Sequence, residues 1–117
     1  MAPSRYLPVL VALLILPASA AQATGDQKGK ELYVKHCAPC HGANGEGDGV
    51  VAEHLSPPPA DLAQALKTEL VSDEYLMWTI REGGRNVHTG MPSFEETAQI
   101  NEADAQAIVR YLWETFK

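Results

Sequence analysis

Two cysteines and a histidine stand together as Cys37-Ala38-Pro39-Cys40-His41, and no other stretch narrows so far what this 117-residue chain can become. The spacing has a chemical meaning. Thiols about one helical turn apart reach both vinyl groups on one edge of a porphyrin, and the next residue then lies under the ring, where an imidazole nitrogen can ligate iron. Other uses of the pair fit less well. A C-x-x-C redox dithiol normally follows a strand in an α/β domain, whereas Gly29 to His36 reads as helix with no strand-rich run before it. A structural zinc site needs four ligands, and His36, His54 and His88 form no second pair at close spacing. A disulfide between Cys37 and Cys40 would close too small a loop to stabilise much. The motif therefore reads as the covalent attachment site of one c-type haem, with His41 as the proximal ligand.

The N-terminus reads as an export signal, residues 1–20. Arg5 and the amino terminus supply positive charge, Leu7–Leu16 is apolar, and Pro17-Ala18-Ser19-Ala20 gives the small-x-small pattern before a cleavage point. Cleavage after Ala20 fits best, with Ala23 close behind. The apolar run is shorter than the roughly 20 residues of a membrane-spanning helix, so an uncleaved anchor is the second reading and a periplasmic location the first.

Removing twenty residues leaves 97 of the 117, a single small domain with little apolar core of its own. A covalently held haem answers that deficit by burying a large flat apolar surface at the centre. With Arg5 gone, 8 basic and 15 acidic residues remain, a net charge of −7. That balance argues against nucleic acid or an anionic membrane surface as partner, and suits a redox protein with a basic docking patch.

Hydrophobic periodicity predicts helices. After a leader at Ala21–Thr24, a helix from Asp26 carries Gly29, Tyr33 and Cys37 on one face at intervals of four. The last helix has Asn101 as N-cap and Asp104 near its positive end, then Ala105, Ile108, Val109, Leu112 and Phe116 along one stripe. Ser72 or Asp73 caps a helix through Tyr75, Leu76, Trp78 and Ile80, closed by Gly83-Gly84. A weaker helix, Ala60–Leu70, leaves the Pro57-Pro58-Pro59 turn. Asn44 to Gly49 is a glycine-rich loop; with two acids and no preceding strand, it reads as a tight turn rather than a phosphate cradle. With no convincing strand, the expected class is all-α, and the domain is residues 26–117.

On Cys37–His41, on Gly29 and Tyr33 before it, on Ile108-Val109-Arg110-Tyr111-Leu112 and on Thr89-Gly90-Met91-Pro92-Ser93-Phe94, the chain resembles the small class I cytochromes c. The resemblance implies three to five helices around a covalent haem, attached after translocation, with the first and last helices crossing at Gly29 and Tyr33. It also implies a carbonyl within Leu55–Pro58, that of Pro57 or Pro58, as the acceptor that orients His41. Trp78 and Arg85 are candidates to approach the haem or its propionates, against the plainer roles of core filler and exposed loop charge.

The sixth iron position decides the chemistry. Met91 follows an irregular segment and precedes Pro92, which holds it extended. It also stands where the resemblance expects the distal ligand. His88 is the rival and Met77 comes behind, beside Trp78 in a helix where a methionine is most simply a core filler; His36, next to Cys37, is expected to point away from iron, and His54 reads as a surface residue. With His41 and Met91 bound, the chain is an electron carrier and not an enzyme. With the sixth site open or displaceable, it becomes a haem enzyme or gas-binding sensor. A place as the electron-transfer subunit of a larger oxidoreductase changes the partner and keeps the chemistry.

Overall fold

A computed structural model of the chain describes residues 1–3 and 19–117, with side chains of the first helix described from Gln27. The apolar run Leu7–Leu16 of the expected export signal lies outside the described residues. Six α-helical segments and one 3₁₀ turn follow in order, with no strand among the described residues: α1 Ser19–His36, α2 Ala38–His41, the 3₁₀ turn Ala52–His54, α3 Leu62–Ala65, α4 Asp73–Glu82, α5 Phe94–Thr97 and α6 Glu102–Phe116. The all-α class holds. Six exceeds the expected three to five because α2, α3 and α5 are single turns of four residues each.

Helix α1 begins seven residues before the expected Asp26. Ala20, Ala21 and Ala23 are strong helix formers, and nothing ahead of Gly25 breaks the run. The helix expected over Ala60–Leu70 contracts in the other direction. Asp61 caps α3 by accepting from the Gln64 N–H at 3.0 Å. Beyond Ala65 the chain tightens, because the Thr68 hydroxyl takes the Ala65 carbonyl at 2.8 Å and the backbone closes on shorter three-residue bonds.

The centre of the molecule is the crossing of α1 and α6. A Cβ at Gly29 would fall on the carbonyl of Ala107 and come within 2.9 Å of the Tyr111 Cβ, so the two backbones meet without a side chain between them. Tyr33 and Ile108 are fully buried beside this contact. The Tyr33 ring packs against Tyr111 and Phe116, with centroids 5.4 and 5.3 Å away. The stripe Ala105, Ile108, Val109, Leu112, Phe116 is buried throughout, as its spacing requires; Ala107 joins it because it faces Gly29. The Asn101 side chain caps α6 through the Asp104 N–H at 2.9 Å.

Helix α4 packs Leu76 and Ile80 inward, is capped by Ser72 and ends at Gly83. The Trp113 indole donates to Asp73 at 2.6 Å, tying the far part of α6 to the start of α4. Among the described residues, no helix is long and apolar enough to cross a membrane.

Candidate cofactor crevice

Between α4, the Leu55–Ala60 segment and the α1/α6 crossing lies a cavity of about 350 Å3 with largely apolar walls. Cys37, Cys40 and His41 border it, as do Met91 and Pro92. Leu66, Ile108 and Leu112 are buried where they line it. Pro57, Pro58 and Trp78 also border it, Trp78 keeping 42 % of its surface exposed.

The wall carrying the cysteines is an extension of α1. The Cys37 N–H still donates to the Tyr33 carbonyl at 2.8 Å, after which α2 winds one turn through Cys40 and His41. A turn ending in the interior leaves carbonyls to satisfy. The glycine-rich loop satisfies them: Gly47, Gly49 and Val51 donate to the carbonyls of His41, Cys40 and Pro39 at 2.8, 3.0 and 3.0 Å. Gly42 and Gly47 adopt φ of 82° and 78°, which lets the loop fold back so closely. Those N–H groups are therefore engaged by the turn, and the loop is no anion cradle. The buried Tyr33 hydroxyl adds a bond to the Gly42 carbonyl at 2.7 Å. Burial, with Cys37 nearby, raises its pKa well above the ordinary value, so it stays a donor.

The His41 Nδ1 lies 3.0 Å from the Ala60 carbonyl. A carbonyl can only accept, so Nδ1 carries the proton and Nε2 keeps its lone pair for a metal. The acceptor expected within Leu55–Pro58 is thus Ala60 instead. The prolines shape the wall, and the chain reaches His41 only after leaving them. Nothing in the residue type of Ala60 marks it, since any backbone carbonyl serves.

Cys37 and Cys40 both carry free thiols. Burial, reinforced by Cys40, pushes the Cys37 thiol up to about 12. A redox dithiol needs the opposite, a thiolate stabilised near neutral pH.

Of the candidates for the second iron ligand, Met91 and His36 border the cavity, and Met77, His88 and His54 do not. Met91 borders the cavity, partly buried. Met77 lies instead in a shallow groove between α4 and α6. His88 is exposed in the left-handed region at φ 55° and does not border the cavity. His54 is exposed, 3.4 Å from Glu53. His36 does border the cavity, with its ring edge-on to Phe94 at 5.7 Å. Arg85 stays outside, paired with Glu82 and Glu96. Helix α5, beside Met91, had a signal in Ser93-Phe94-Glu95-Glu96, the S-x-x-E pattern of a helix start. The Ser93 hydroxyl accepts from the Glu96 N–H at 3.3 Å and donates to the Arg81 carbonyl at 2.7 Å.

The donor set suits a haem: two thiols on one wall, a histidine with Nε2 free, and a thioether bordering the same apolar space. No curated protein and no solved structure matches the chain. A family model described as cytochrome C oxidase, cbb3-type, subunit III matches residues 24–112, about three quarters of its length. The chain belongs to this family of c-type cytochrome domains, haem proteins of electron transfer.

Proposed function

We propose that the chain is an exported carrier of single electrons, with one haem held covalently by Cys37 and Cys40 and ligated by His41 and Met91. The observation that carries this reading is the cavity itself: it is bordered by both cysteines, His41 and Met91, while His88 and Met77 do not border it. Bound haem supplies an iron that changes by one electron between ferric and ferrous states. The residues do the rest. The Ala60 carbonyl orients His41 through Nδ1 and strengthens Nε2 as a donor. With haem in the cavity, Met91 would offer its thioether as the second ligand, which would favour the reduced state and leave no open site for substrate. Leu66, Ile108 and Leu112, buried in the cavity wall, would exclude water from the cofactor. No proton is moved and no covalent intermediate forms, so the chain works as a carrier rather than an enzyme.

The test is a spectrum of the purified holoprotein. A ferric charge-transfer band in the far red that vanishes in Met91→Ala, and persists in His88→Ala, is the expected result. A ferrous protein that binds carbon monoxide stoichiometrically without denaturant would sink the reading and favour a gas-binding protein or haem enzyme. The family description, an oxidase subunit, favours a second arrangement in which the same carrier serves inside a larger oxidoreductase. Co-purification of a membrane complex from the native source would mark that arrangement; a free monomer would mark the shuttle. In either case the partner surface is expected to be basic, because the carrier is acidic.

A further inference from the structure

We infer that Arg81 and Arg85 are positioning residues which hold the Met91 segment closed over the crevice and thereby set how readily an outside ligand reaches the sixth position. The inference rests on Met91 being the axial ligand.

The segment from Gly83 to Pro92 is a strap with a narrow root. At that root the Gly84 N–H donates to the Met91 carbonyl at 2.8 Å. Gly83 adopts φ 59°, and a Cβ there would come within 2.7 Å of the same oxygen. Between root and tip the strap bonds mainly to itself: the N–H groups of Val87 and Thr89 both go to the Gly84 carbonyl. Residues Arg85 to Gly90 are all exposed. Buried apolar side chains therefore do not hold the strap along its length.

What joins its two flanks is charge. Arg81 near the end of α4 meets Glu95 in α5 at 2.6 Å. Arg85, just past α4, pairs with Glu82 on its own side and reaches Glu96 in α5 across the joint. Glu95 and Glu96 stand three and four residues after Pro92, in the first turn of α5, so the arginines clamp the start of the strap to its end. Ser93 adds its bond to the Arg81 carbonyl.

Each of these pairs is half-exposed and weak alone, yet all converge on one joint. The α1/α6 crossing at Gly29, Tyr33 and Ile108 makes none of these contacts, and Ile80 in α4 stays buried in the core beside the joint, so loosening the ion pairs should open the strap without unfolding the chain. Phe94, buried at the foot of α5, still anchors one flank, which limits the opening.

The experiment titrates the ferric holoprotein with imidazole, a small ligand that competes with Met91. If the clamp acts, Arg85→Gln and Arg81→Glu raise the apparent imidazole affinity about three- to tenfold, as the competent open fraction grows. The exchanged pair Arg81→Glu/Glu95→Arg returns it to within about twofold of the parent. Thermal midpoints guard against simple unfolding and should move little. A far-red band in the parent with unchanged imidazole affinity in both single variants overturns the clamp alone. Failure of the exchanged pair to rescue also overturns it. A parent that lacks the band removes Met91 from iron, and the clamp falls with the ligand assignment.

Discussion

Tyr33 shows how much one atom contributes. Its hydroxyl reaches the carbonyl of Gly42, the residue after His41, from inside the aromatic cluster of α1 and α6. Tyr33→Phe keeps the ring and removes that donor. The Gly42 carbonyl still receives the Gly45 N–H at 3.2 Å, so it is weakened rather than orphaned. The expected loss is therefore near the lower end for a buried hydrogen bond, about 1 kcal/mol in urea unfolding of the holoprotein. Glu95 gives a second residue-level prediction. The hydrogen bond from Arg81, and then its charge, holds the Glu95 carboxyl below the usual 4.5. A carboxyl lowered in the folded state stabilises above its ordinary pKa and loses that contribution as pH falls through the lowered value. Wild type should thus lose resistance to urea below about pH 4.5 more steeply than Glu95→Gln; parallel profiles would contradict this. The Cys37–His41 chemistry was legible because thiol and imidazole types announce their use. The Ala60 carbonyl was not, because every residue carries one.

Helices repeat that division at the scale of elements. The last helix could be drawn from its stripe and its Asn101 cap, since a 3.6-residue period and a capping side chain are local properties. In the first helix, Gly29 costs up to about 1 kcal/mol of helix propensity relative to alanine. At the crossing the sign reverses. Gly29→Ala gains that helix propensity but drives a methyl onto the Ala107 backbone, and overpacking costs about 1–3 kcal/mol. Overpacking wins because a carbonyl in a helix cannot rotate away, so urea unfolding should show a net destabilisation of about 1–2 kcal/mol. The single turns α2, α3 and α5 were largely hidden: four residues hold too little periodicity to see.

Across the whole molecule the excess of acids sets how it meets others. Against a basic redox partner, the second-order rate of electron transfer is expected to fall about tenfold or more between 10 mM and 150 mM salt, as screening shortens from about 30 to 8 Å. A salt-independent rate would argue against a basic docking patch. Much of the molecule is written locally. A C-x-x-C-H motif, an all-helical period and a Met-Pro pair in an irregular segment are read along the chain, since each depends on residue type and short spacing. Only the tertiary structure brings Met91 to the crevice and leaves His88 outside it, fifty and forty-seven residues from His41. Only it gives His41 the Ala60 carbonyl and staples the strap through Arg81 and Arg85. Those are contacts between distant segments, and they exist because folding around one apolar cavity brings together groups that no spacing rule relates.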